Sequence, residues 1–107
     1  MKKIVKKIAK EFKDELKKLY GDDLADLILF GSQARGDSHK ESDIDFALVL
    51  KNPATTSTSE INKVSEIGND LSIKYGELVT YIGMAEFKLK ESDLSLYQNI
   101  RKEGIKI

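Results

Sequence analysis

The chain has 107 residues, 18 basic and 18 acidic side chains, a formal net charge of zero and no cysteine. That length suits one domain over residues 1–107 with one modest core. A balanced charge sets up no global field toward nucleic acid or an anionic membrane, and the lack of cysteine excludes disulfides, thiolate metal sites and thiol nucleophiles.

The first residues, Met1 to Lys7, carry no apolar run long enough for a signal sequence or a membrane span, so a cytoplasmic location is expected. From Lys2 to Tyr20 the residues Ile4, Val5, Ile8, Phe12, Leu16 and Leu19 recur at helical spacing, with Gly21 as the stop. Glu11, Asp14 and Glu15 interrupt the lysines of this stretch, which reads as a solvated face rather than a nucleic-acid patch. Leu24 to Phe30 and Ile44 to Leu50 are dense apolar runs, read as buried strands closed by Gly31 and by Asn52-Pro53. Ala54 to Ser59 reads as a loop, and Ser57 with Glu60 has the form of a capping box for a helix marked by Ile61, Val64, Ile67 and Leu71 that ends near Tyr75. Leu78 to Ile82 is a third short strand closed by Gly83. Ser92 to Arg101 reads as a last helix with Leu94, Tyr97 and Ile100 inward, and Ile105 to Ile107 as a terminal strand. The order helix, strand, strand, helix, strand, helix predicts an α/β (α+β) fold in which helices cover one face of a small mixed sheet.

Chemistry concentrates in the polar segment between the first two strands. At Phe30-Gly31-Ser32 a strand ends in a Gly-Ser turn, where glycine permits close approach of a ligand and free amides suit phosphate oxygens. The Ser32 hydroxyl adds a further donor, and Arg35 is placed to neutralise phosphate or to pair with Asp37 or Glu41. Ser42-Asp43-Ile44-Asp45 opens the second strand. Alternation points Asp43 and Asp45 to one face, with alpha carbons about 6.6 Å apart. Two carboxylates so placed repel unless solvated or bridged by positive charge, and magnesium suits hard oxygen ligands of this kind. Ten residues, Gln33 to Ser42, separate Ser32 from Asp43, so the turn and the acidic pair lie at the ends of two sequential strands, which are usually neighbours. His39 has no evident acid or base partner in sequence and reads as exposed, and the tyrosines and phenylalanines as core or interface.

Gly31-Ser32-Gln33-Ala34-Arg35-Gly36 together with Ser42-Asp43-Ile44-Asp45 resembles the nucleotidyltransferase superfamily that includes DNA polymerase beta, and within it the minimal nucleotidyltransferases of prokaryotes. Leu96 to Gly104 is more weakly similar to the way such chains end. The resemblance implies a polymerase-beta-like fold and a two-metal transfer of a nucleoside monophosphate, with two Mg2+ ions and ATP as substrate. It also implies a third carboxylate on a neighbouring strand. Glu77 is the candidate, before Leu78-Val79 where the family usually has aspartate; Asp70 and Glu86 are weaker ones. The implied roles are then Asp43, Asp45 and Glu77 as metal ligands and catalytic groups, and Gly31, Ser32, Arg35, Asp43 and Asp45 as the nucleotide site.

Since the catalytic strands consume most of the chain, the acceptor surface is expected from a second protein. The resemblance implies a helical RNase toxin of the HEPN class encoded nearby, adenylylated on a tyrosine, which makes the chain an antitoxin. Two other readings stand beside it: a small-molecule nucleotidyltransferase with its acceptor site at a homo-oligomer interface, and an antitoxin that neutralises its partner by contact without catalysis.

Overall fold

In the computed structural model, which describes residues 1–39, 42–53 and 58–107, the N-terminal amphipathic stretch is an 18-residue helix, α1 (Lys3–Tyr20). Val5, Ile8, Ala9, Phe12 and Leu16 form its buried stripe, and Gly21 at φ +56° ends it. A 3-10 turn (Gly21–Asp23) leads into β1 (Leu24–Phe30), a one-turn helix α2 (Ser32–Arg35) follows, and β2 is Ile44–Leu50. Then come α3 (Thr58–Tyr75), β3 (Val79–Ala85), α4 (Glu86–Glu91), α5 (Ser95–Glu103) and β4 (Ile105–Lys106).

The four strands form one mixed sheet in the order β3-β2-β1-β4. β1 runs antiparallel to both β2 and β4, whereas β2 and β3 are parallel, with α3 as the crossover a parallel pair requires. Alternation along β2 sends Ile44, Phe46, Leu48 and Leu50 to one face, where they join Leu27, Leu29 and Val79 under α1 and α3. Phe12 of α1 meets Phe46 edge to face with ring centroids 5.4 Å apart. On the other face Ile28, Ala47, Val49 and Met84 pack against Leu89 of α4 and Ile100 of α5.

Helices therefore cover both faces of the sheet, which corrects the expectation of one. The cause is in the strands themselves: β1 and β2 are apolar on both sides of the pleat, and a strand apolar on both sides must be covered on both. Gly104 serves this second layer, since a Cβ there would overlap the Ile100 carbonyl oxygen and the Ile28 side chain where α5 returns to β1.

Three further expectations change. β3 continues through Gly83 to Ala85, because Gly83 pairs with Leu48 in the β2 ladder and a missing side chain removes no backbone bond. α4 is absent from the sequence reading; six residues are too few for a helical period to register. The last helix starts three residues later than expected, so Leu94 becomes its N-cap and is 67 % exposed, while Ile100 is buried as expected. Ile61 of α3 is likewise outward, at 51 % exposure, and the proposed cap Ser57 lies outside the described residues. Among the described residues no helix is long and apolar enough to cross a membrane.

Candidate active site

The turn after β1 is built on a backbone conformation that only glycine adopts readily: Gly31 has φ +75° and ψ −157°. The carbonyls of Gly31 and Ser32 accept the amides of Ala34, Arg35, Gly36 and Asp37, which closes the single turn of α2. The amides of Ser32 and Gln33 belong to the first turn, for which a helix has no internal acceptor.

β2 enters directly beside this turn. Phe30, the last residue of β1, is the antiparallel partner of Asp45, and a Cβ on Gly31 would stand 2.6 Å from Asp45 Oδ2. The dihedral angles call for glycine, and a Cβ there would also make the Asp45 carboxylate shift. Ile44 is fully buried among the α1-side residues while Asp43 is exposed and Asp45 half-buried. Alternation then sets both aspartates on the opposite face, toward α4 and α5. Just upstream, the His39 amide donates to Ser42 Oγ at 2.8 Å and the Ser42 amide to the His39 carbonyl at 3.0 Å, which shapes the approach to β2. Asp45 Oδ1 accepts a hydrogen bond of 2.6 Å from the hydroxyl of Thr80, its register partner on β3.

Gly31, Ser32, Asp43 and Asp45 are therefore assembled at one end of the β1–β2 pair. Glu77 is not. It sits in the bend before β3 and lines a small cavity of about 170 Å³ with Val5, Gln33, His39 and Ile44, on the α1 side of the sheet. The β2–β3 register explains this, since Ile44 pairs with Val79 and Asp45 with Thr80. The residue on β3 facing Asp45 is a neutral threonine. Among the described residues no three histidine, cysteine, aspartate or glutamate side chains gather as a metal-binding group. Asp70 lies exposed on α3 and Glu86 opens α4.

Arg35 is engaged with Asp37 at 3.1 Å and with Glu103 of α5 at 3.3 Å. These partners, Asp37 first, raise its pKa above the usual arginine value. The pairing with Asp37 was one of the two uses foreseen for it; contact with a phosphate would compete with these exposed ion pairs. His39 is exposed, as expected. Tyr75 donates to Glu11 at 2.6 Å and Tyr81 shares a 2.9 Å hydrogen bond with Ser65, so both tyrosines tie elements together. Thr80 is the residue the sequence reading missed, because only the strand register shows which side chain faces Asp45.

The donor set suits a hard divalent cation of the magnesium type, which takes one or two protein carboxylates and completes its shell with substrate phosphates and water. A mixed sheet between helices, with a Gly-Ser turn pressed against an Asp-x-Asp strand, defines a nucleotidyl-transferring domain. The family described as "Nucleotidyltransferase domain" matches residues 9–107. A protein of Methanocaldococcus jannaschii provisionally named a protein adenylyltransferase is 40 % identical over 75 residues, covering 70 % of this chain and 74 % of that protein. A second from the same organism, with the same provisional name, is 34 % identical over 99 residues, covering 92 % of each. Among solved structures, a toxin–antitoxin crystal structure with AMP-PNP matches with TM-score 0.60 at 22 % identity, over 89 % of this chain and 68 % of that one. A provisionally named nucleotidyltransferase from Sulfolobus solfataricus matches with TM-score 0.59 at 22 % identity, over 99 % of this chain and 87 % of that one. The chain belongs to the nucleotidyltransferase domain family and is an enzyme of that class.

Proposed function

We propose that the chain transfers the adenylyl group of ATP to a hydroxyl of a partner protein, a tyrosine of a HEPN-class helical toxin, and so acts as an antitoxin in the cytoplasm. The observation that carries this reading is the packing of the Gly31-Ser32 turn against the Asp45 carboxylate, which makes one site of a phosphate cradle and an acidic pair. Relatives named as protein adenylyltransferases support a protein acceptor, and a neighbour of the same fold in a toxin–antitoxin complex supports the kind of partner.

In the reaction the acceptor oxygen forms a bond to the α-phosphorus of ATP, the bond from that phosphorus to the bridging oxygen breaks, pyrophosphate leaves, and the hydroxyl proton passes to solvent or a site carboxylate. The turn's free amides and the Ser32 hydroxyl bind phosphate oxygens. Asp43 and Asp45 would hold the divalent ions, two in this reading, whose charge would offset that of the triphosphate and the leaving pyrophosphate. Asp45 is hydrogen-bonded by Thr80 beside the turn, which reduces the ordering left to be done on binding.

The test is intact-mass measurement of the helical protein encoded beside this chain after incubation with the chain, ATP and magnesium. One added adenylate on a tyrosine is expected, and none with the Asp43→Asn, Asp45→Asn double variant. A partner that forms a stable complex yet gains no mass would overturn the reading, and toxin neutralisation that survives the double change would point to inhibition by contact.

A further inference from the structure

Asp45 is hydrogen-bonded on one side and closely approached by backbone on the other. In the parallel β2–β3 ladder Thr80 stands directly opposite it and donates its hydroxyl to Oδ1 at 2.6 Å, within the short range of a hydroxyl on an ionised carboxylate. The same hydroxyl is 3.5 Å from the Ile44 carbonyl, at the outer limit of a hydrogen bond, so its firm partner is the carboxylate. Oδ2, the second oxygen, faces the Cα of Gly31. One carboxylate thus spans β3 and the β1 turn, the two elements that flank β2 at this end of the sheet.

From this geometry we infer that Thr80 is a positioning residue of the nucleotidyl-transfer site, setting the carboxylate plane of Asp45 so that it meets a nucleotide-bound cation in a single orientation. The terminal torsion of an aspartate is broad and roughly two-fold, so an untethered Asp45 would sample orientations it must give up on ligation. β-branching restricts Thr80 at χ1, which aims the hydroxyl, and a neutral donor adds no negative charge beside two carboxylates that already repel. Threonine is also an ordinary strand residue. Valine has the same shape and equal aptitude for a strand but cannot donate, so it separates the two roles.

The inference rests on Asp45 being a ligand of the nucleotide-bound cation, and the experiment tests the two apart. Manganese with a non-hydrolysable ATP analogue is titrated into the full chain and followed by calorimetry and by the manganese resonance signal, for the native protein, Asp45→Asn, Thr80→Val and Thr80→Ser. Asp45→Asn should abolish cation-dependent binding. Thr80→Val should weaken it about tenfold or more, the order set by a hydrogen bond to a charged group. Thr80→Ser should restore binding to within about threefold of native, since the hydroxyl returns. Native-like binding by Thr80→Val, or equal weakness of the Ser and Val variants, would overturn the positioning role alone. Native-like binding by Asp45→Asn would remove the site reading as well. Should Thr80→Val fold poorly, Thr80→Ala against Thr80→Ser makes the same comparison, and equal affinity of that pair would also overturn it.

Discussion

Gly31→Ala strikes the point where the fold and the proposed chemistry meet. Alanine at φ +75° and ψ −157° costs about 1–3 kcal/mol of backbone strain. Its Cβ would in addition lie 2.6 Å from Asp45 Oδ2, closer than real Cβ contacts allow, so either the turn shifts or the carboxylate swings away. Swinging away breaks the Thr80 bond to Oδ1, a hydrogen bond to a charged group that contributes about 1.5–3 kcal/mol. Where the carboxylate swings away the sum is about 2.5–6 kcal/mol, which for a chain of this size lowers the melting temperature by about 11–27 °C. Gly21→Ala supplies the control: its φ is +56°, but nothing lies within 4 Å of the added Cβ, so it carries the backbone term alone. Thermal unfolding by circular dichroism, with cation-dependent binding of an ATP analogue on the folded fraction, reads both effects. A Gly31→Ala protein that melts no lower than Gly21→Ala and binds the analogue like the native chain would refute the close approach and its role.

Two other outcomes follow from the ion pairs. Arg35→Ala breaks only exposed pairs to Asp37 and Glu103, which solvent screens, so the melting temperature should fall by no more than a few degrees. If its guanidinium also serves the triphosphate, analogue affinity drops several-fold in the same protein; unchanged affinity would leave Arg35 as a tie between α2 and α5. The Glu11 carboxylate is held below its ordinary pKa, first by the Tyr75 hydroxyl and then by Lys74. A depressed carboxylate stabilises the fold above its unfolded pKa, and that contribution is lost as pH falls through the folded value. The melting-temperature gap between native and Glu11→Gln protein should therefore be widest near neutrality and close below the ordinary carboxylate range. A gap that stays constant with pH would rule out this linkage.

Where the sequence was legible, the signal was local and long. β1 and β2 run over the residues expected, because dense apolar runs end at Gly31 and at Asn52-Pro53. α1 announces itself by apolar residues at helical spacing, and Val5, Ile8, Phe12 and Leu16 of that stripe are buried. α4 shows no period, and Gly83 looks like a stop although its backbone continues in the ladder. Leu94 and Ile61 fit a helical period yet face outward, because periodicity marks a stripe without saying what covers it.

The site divides along the same line. Gly31-Ser32 and Asp43-Ile44-Asp45 are readable from order and spacing, since adjacent strands bring their ends together and alternation sets two aspartates on one face. Which third residue joins them is a matter of register between strands whose partners are 35 residues apart in the chain, and a shift of one position turns every side chain to the other face. The family resemblance pointed to Glu77 and nothing in the sequence singled out Thr80, yet the pairing of Ile44 with Val79 turns Glu77 toward α1 and sets the Thr80 hydroxyl on Asp45. Residue types and spacing determined what kind of chemistry this chain carries; the pairing of β2 with β3 decided which side chains meet at that end of the sheet.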